Sequence, residues 1–170
     1  MKNFVIAGLM VFIVASPAFA ALKLNDSAPA FSLRDSEGKV FSLSDVVGAK
    51  NNGKVKGVVV SFFATWCIPC RNELRLINAV TEPLNQKGVK VVFVNVKEDF
   101  KTIRNLLAEL KVDKPIVLSD SDGKTAERYG VRFFPTTFFI GADGSVKHFI
   151  YGEIRNWKEL MDNVQDLDKK

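Results

Sequence analysis

Apolar and polar positions first fall into order at Phe31, where a period-two alternation begins. Phe31-Ser32-Leu33 and Val40-Phe41-Ser42-Leu43 read as the two strands of a hairpin, with Asp35-Ser36-Glu37-Gly38 as its turn. Ser44 to Val47 reads as a short helical turn, and the polar, glycine-bearing stretch Gly48 to Gly57 as a loop. Val58 to Phe63 is a continuous apolar run of strand length, which predicts a strand buried on both faces. Helical spacing takes over from Cys70 to about Leu84 and ends before Gly88. Val89 to Val96 predicts a second buried strand, and Phe100, Ile103, Leu107 and Leu110 a second helix.

Shorter elements follow. Ile116-Val117-Leu118 predicts a strand, Asp120 to Gly123 a turn, and Thr125 to Tyr129 a short helix. Thr136 to Ile140 and Val146 to Tyr151 predict a hairpin turning at Ala142-Asp143-Gly144. Ile154, Trp157, Leu160 or Met161, Val164 and Leu167 predict a closing amphipathic helix. Together these elements predict an α/β domain: a central mixed β-sheet flanked by helices on both faces, with an N-terminal β-hairpin extension. The first two long strands should run parallel through a right-handed crossover.

The first twenty residues stand outside that pattern. Lys2, the apolar run Phe4 to Ala15, the break at Ser16-Pro17 and the small residues of Ala18-Phe19-Ala20 read as a signal peptide over residues 1–20. Cleavage after Ala20 leaves residues 21–170 as one domain. The other reading is an uncleaved anchor, since Asn3 to Leu22 carries no charge, although its apolar run is short for a membrane span. Apolar residues make up 47% of the chain, with 14 Phe among them, so a substantial core is within reach. The net charge of +5 comes without a basic block interleaved with aromatics, which gives no support to a nucleic-acid partner.

The candidate chemistry lies in Trp66-Cys67-Ile68-Pro69-Cys70, which holds both cysteines of the chain. A strand that delivers Cys-x-x-Cys to a helix start puts a sulfur among unpaired N–H groups at the positive end of the helix dipole. That field favours the thiolate, which is the nucleophile. Two intervening residues let the sulfurs close as a local disulfide. As a structural bridge alone it would constrain the unfolded chain little, because it closes almost no loop. Cys67, nearer the strand end, should be the more exposed and should attack; Cys70, one turn in, should resolve the mixed disulfide.

Neighbouring residues add to this picture. Pro69 suits the first turn of a helix, where its missing N–H is no loss. Trp66 either shields one side of Cys67 or packs into the core. The stripe Cys70, Glu73, Ile77, Val80, Leu84 places Glu73 on a mainly apolar helix face, where desolvation raises a carboxyl's pKa. Glu73 then either exchanges a proton with Cys70 through a water or is a surface acid near the helix start. His148, the single histidine, reads as a surface residue of a hairpin strand. No metal site and no cofactor is indicated.

These segments resemble a known family. Ser-Phe-Phe-Ala-Thr-Trp-Cys67-Ile-Pro-Cys70 is similar to the active-site strand and turn of thioredoxin-like proteins, and Phe133 to Ile140 to their cis-proline segment. Ala28-Pro29-Ala30-Phe31-Ser32-Leu33, Gly38-Lys39, Ser42 to Asp45, Leu118 to Gly130 and Asp143-Gly144 resemble the exported TlpA/ResA-like branch, which is related to the AhpC/TSA group. The resemblance implies a thioredoxin-like fold and dithiol–disulfide exchange in the periplasm or another extracytoplasmic space. It also implies a protein disulfide as substrate and an upstream membrane or periplasmic electron donor. Cytochrome c maturation and copper-site thiol reduction are tasks of such proteins. It implies a cis bond before Pro135 and a substrate-binding main chain at Phe134, where a smaller residue is usual. Arg132 either adds a positive rim or is solvated. Family members often carry an acid six residues before the first cysteine; that position is Ser61 here, and Glu73 stands where the TlpA/ResA-like branch has its acid.

Ile68-Pro69 offers no basic group to hold a thiolate, and an ionised Glu73 would disfavour one, so a reductant is expected rather than an oxidase. Two other readings compete. An AhpC/TSA-type peroxidase would need a P-x-x-x-T-x-x-C loop, whereas Ala64 stands three before Cys67 and Val58 to Trp66 holds no proline. A Cu(I)-binding metallochaperone of related fold would use a wider cysteine spacing and a histidine.

Overall fold

The structure, a computed structural model, describes residues 22–167. The signal peptide expected over residues 1–20, with its cut after Ala20, lies outside them. β1 (Ser32–Arg34) and β2 (Val40–Ser42) form the expected hairpin, with Leu33 opposite Phe41. A 3-10 turn follows at Leu43–Asp45, and a second, Gly48–Lys50, opens the stretch read as loop. The apolar runs become β3 (Gly57–Phe63), β4 (Val89–Val96), β5 (Ile116–Asp120), β6 (Thr136–Gly141) and β7 (Val146–Tyr151). Their β-branched and aromatic side chains suit a pleated, packed surface. The seven strands make one sheet in the order β2-β1-β5-β4-β3-β6-β7. β3 and β4 are parallel, as are β4 and β5, while β3–β6, β6–β7, β1–β2 and β1–β5 are antiparallel. The sheet is mixed, as the sequence predicts.

Among the described residues, four α-helices accompany the sheet: α1 (Ile68–Gln86), α2 (Phe100–Leu110), α3 (Lys124–Arg128) and α4 (Trp157–Gln165). Alternation along β3 divides the core into two layers. Val59 and Phe63 pack with Val91 and Phe93 of β4 and with buried residues of α1, α2 and α4. Val58, Val60 and Phe62 pack with Val92, Val94, Leu118, Phe138 and the α3 flank Ala126 and Tyr129. Both layers exclude water, so neither face of β3 is a surface. Gly57 opens β3 beneath Leu167; a Cβ there would lie 2.7 Å from the Ile140 carbonyl oxygen and 2.9 Å from the Leu167 side chain.

Helix ends explain where the boundaries depart from the periodic pattern. α1 starts at Ile68, two residues before its apolar stripe, because Cys67 takes the N-cap position. The buried face of α1 also includes Leu74 and Thr81, while Val80 is half-buried. α4 is shorter than expected: Asn156 caps it by accepting from Glu159 N–H, so the helix begins at Trp157. Ile154 therefore lies outside the helix and is buried, and Trp157 is exposed. Asp120, read as the start of a turn, ends β5, and its carboxylate accepts from the N–H groups of Thr125 and Ala126 at 3.1 and 2.8 Å. Among the described residues no helix is long and apolar enough to cross a membrane.

Candidate active site

β3 ends at Phe63, and the chain turns through Ala64 to Cys67 into α1. Cys67 and Cys70 are joined as a disulfide, with Cα atoms 5.3 Å apart. The Cys70 N–H points at Cys67 Sγ from 3.2 Å, and Pro69 occupies the first turn between them. A 19-residue helix thus begins at this sulfur, with its unpaired N–H groups and positive dipole end directed there. Cys67 is 5% exposed and Cys70 fully buried, so the expected order holds, although Cys67 is itself mostly covered. Arg71, next in the helix, pairs with Glu109 of α2, which counters its charge.

Trp66 is 71% exposed and is therefore not a core residue. Its ring meets Phe134 in a T-shaped contact at 5.9 Å. The Phe134–Pro135 bond is cis, and Pro135 is buried while Phe134 is half-buried. Trp66, Ile68 and Phe133 are exposed large apolar side chains; the first two belong to the cysteine turn and the start of α1, and Phe133 precedes the Phe134 that Trp66 touches. Beside Trp66 and Phe134 opens a cleft of about 650 Å³, lined also by Lys97, Glu98, Glu127 and Arg132. Arg132 is exposed at its rim.

Glu73 is 1% exposed, one helical turn beyond Cys70. Oε1 accepts from the hydroxyls of Ser61 at 2.7 Å and Thr137 at 2.9 Å, and Oε2 accepts from Ile154 N–H at 2.8 Å. One carboxylate is thereby bonded to β3, β6 and the segment before α4. Burial pushes its pKa above the ordinary value, the three hydrogen bonds pull it back, and the nearby Glu153 charge adds to the rise. The surface-acid reading of Glu73 is excluded by this burial.

The structure thus brings Cys67, Cys70, Glu73, Trp66, Pro69, Phe134 and Pro135 to one end of the sheet. His148 lies elsewhere, half-buried on β7 between the rings of Phe139 and Phe149. Sequence reasoning missed Thr137 and Ile154 as partners of Glu73. It set Ser61 aside as unable to act as a base, whereas the hydroxyl serves as a donor. Thr137 had a signal, since it stands in the proline segment. Ile154 had none, because a backbone N–H has no residue type.

Comparison with known proteins agrees with this geometry. The AhpC/TSA family matches residues 24–149. Thiol-disulfide oxidoreductase ResA from Bacillus subtilis (strain 168) is 36% identical over 125 residues, covering 74% of this chain and 65% of that protein's length. Thiol-disulfide oxidoreductase ResA from Bacillus thuringiensis subsp. konkukian (strain 97-27) is 32% identical over 132 residues, 78% of this chain and 72% of that one. A crystal structure from Chlorobium tepidum, provisionally assigned as a thiol:disulfide interchange protein DsbE, superposes with a TM-score of 0.75 at 30% identity. It covers 86% of this chain and 99% of its own. A thioredoxin-like sheet, a Cys-x-x-Cys at a helix start and these relatives converge: the chain belongs to the AhpC/TSA family, among its ResA-type thiol–disulfide oxidoreductases.

Proposed function

We propose that this chain is an exported reductant of protein disulfides. The observation that carries the reading is the Cys67–Cys70 pair at the start of α1, backed by the buried carboxyl of Glu73 on the next turn. In the reduced protein the Cys67 thiolate attacks one sulfur of a substrate disulfide. The substrate S–S bond breaks, a mixed disulfide forms, and the released substrate thiolate takes up a proton. Cys70 then loses its proton, through a water to Glu73, and attacks Cys67 Sγ. The mixed disulfide breaks, Cys67–Cys70 forms, and the second substrate thiol leaves; two electrons have passed to the substrate. A membrane-bound or periplasmic dithiol returns the pair to its reduced form.

Electrostatics around the pair support reduction over oxidation. No basic side chain occupies the two intervening positions, the Arg71 charge is matched by Glu109, and an acid lies behind Cys70. A less stabilised thiolate gives a less oxidising couple. The exposed apolar side chains Trp66, Ile68 and Phe133, with Phe134 against Trp66, suit a polypeptide segment laid across Cys67, with the main chain at Phe134–Pro135 as its partner. The segment 1–20 supports export, and cytochrome c maturation or copper-site thiol reduction is the task such a reductant serves.

Trapping tests the reading. Cys70→Ala, expressed in the exporting cell, should retain its substrate as a mixed disulfide through Cys67, identified by mass. No capture, combined with tight Cu(I) binding by the reduced wild type that Cys67→Ser abolishes, would replace it with the metallochaperone reading.

A further inference from the structure

A second polar arrangement, partly buried, stands behind the cysteine turn. The turn from Ala64 to Cys67 is closed by Cys67 N–H on the Ala64 carbonyl at 3.2 Å. Glu98 accepts what that turn leaves over. Its Oε2 accepts from Thr65 N–H at 2.7 Å, and its Oε1 from the Thr65 hydroxyl at 2.5 Å. Oε2 also accepts from Asn95 Nδ2 at 2.7 Å. Asn95 is fully buried near the end of β4, and its Oδ1 has no hydrogen-bond partner among the described residues. A half-satisfied amide in a core is a cost that the fold carries.

A second cost sits beside it. Lys97 has φ 62°, a left-handed conformation uncommon for a residue with a side chain. Its N–H is held by the Asp120 carbonyl at 3.0 Å. Its side chain crosses Gly123, where a Cβ would fall 2.3 Å from Lys97 Cε, so glycine leaves the room it needs. Both lie within three residues before Glu98, and Asn95 reaches its carboxylate directly.

We infer that Glu98 is a positioning residue for the redox turn: its carboxylate fastens Thr65 to the end of β4 and so fixes where Trp66 and Cys67 stand. The inference rests on the reading of Cys67 as the attacking sulfur. Disulfide exchange needs three sulfurs in line, and a displacement of a fraction of an ångström lowers the rate. Trp66, exposed and touching Phe134 by one ring contact, takes its place from Thr65.

The test compares wild type, Glu98→Ala, Glu98→Gln and Thr65→Val, each in a Trp157→Phe background so that fluorescence reads Trp66 alone. Three quantities are measured: exchange with oxidised glutathione, iodoacetamide labelling of Cys67 against pH, and the change in Trp66 fluorescence on reduction. Glu98→Ala should slow exchange roughly tenfold and flatten the fluorescence change while remaining folded by urea titration. Thr65→Val should lose less. Glu98→Gln should stay within about threefold of wild type, because its amide keeps an acceptor for the two N–H donors and offers an N–H to the Thr65 hydroxyl. Wild-type exchange in folded Glu98→Ala overturns the inference. So does Glu98→Gln as slow as Glu98→Ala, which assigns the effect to charge. Should Glu98→Ala fail to fold, Thr65→Val with a wild-type rate and wild-type fluorescence overturns it. Labelling reads Cys67 without any disulfide substrate, so a wild type that labels but does not exchange sinks the oxidoreductase reading and leaves the positioning role to be judged by labelling and fluorescence.

Discussion

Ser61 Oγ donates a 2.7 Å hydrogen bond to Glu73 Oε1 in a space that solvent does not reach. The two residues lie on β3 and α1, on opposite sides of Cys67 in sequence. The strand position that often carries an acid in thioredoxin-like proteins carries a hydroxyl here, and the acid comes from the helix instead. The acid stands one helical turn beyond Cys70. Here the hydroxyl and Thr137 hold it in place and compensate part of its desolvation.

That environment fixes the sign of a pH dependence. Burial raises the Glu73 pKa above 4.5, so the folded protein keeps the proton at pH values where the unfolded chain has released it. Stability should therefore fall as pH rises from about 4.5, and stop falling once the folded-state pKa is passed. The total loss is about 1.4 kcal/mol for each tenfold ratio between the unfolded and folded acid dissociation constants. Glu73→Gln removes the titration and should remove this slope. Urea unfolding from about pH 4 to about pH 9 measures both proteins. A wild type as flat as the variant would show that Glu73 titrates as an ordinary carboxyl.

Cys67 and Cys70 should separate by reactivity. Iodoacetamide should modify Cys67 of the reduced protein first, and Cys67→Ser should leave Cys70 unmodified for at least about tenfold longer. The same variant should lose exchange with oxidised glutathione altogether. Peptide mapping by mass reads the first outcome, and preferential labelling of Cys70 would reverse the assigned order of attack.

Trp66→Ala should cost less than about 0.5 kcal/mol of stability, because the ring is exposed and makes one aromatic contact. KM for a protein disulfide such as insulin should nonetheless rise roughly three- to tenfold, with a smaller loss on oxidised glutathione. Steady-state reduction of the two substrates measures the split. Equal losses on both would move Trp66 from substrate contact to support of the cysteine turn.

Phe138→Ala addresses the layer facing away from the cysteines. Phe138 is fully buried, with ring contacts to Phe62, Tyr129 and Phe149. Removing it should cost about 3–5 kcal/mol in urea unfolding, while the folded fraction keeps its exchange rate. A loss below about 1 kcal/mol would mean that this layer repacks easily.

Legibility in the sequence followed the physics of each element. Strands that are apolar on both faces, such as β3 and β4, announced themselves because no polar residue interrupts them for long. α2 showed its apolar stripe, while its cap at Asp99 emerges only in the structure. The start of α4 was hidden too, because Ile154 continues the apolar spacing while Asn156 sets the true start. The cysteine pair, Glu73 and the proline segment were legible as residue types at fixed spacing. The cradle around Glu73 was not, since one of its donors is a backbone N–H and the other two are hydroxyls distant in sequence. The Thr65–Glu98–Asn95 group was equally hidden: Asn95-x-x-Glu98 has no spacing that separates it from a loop.

The pairing of β1 with β5, through Arg34 opposite Ser119, also protects the domain from its own copies. β5 carries Ile116, Val117 and Leu118, and its outer backbone groups would otherwise offer a template for any extended chain. The hairpin covers that margin at Ser119 and sets β2, three residues long and too short to propagate pairing, at the end of the sheet. A chain begun after Val46 would bare β5, and light scattering should then report self-association that the longer chain avoids.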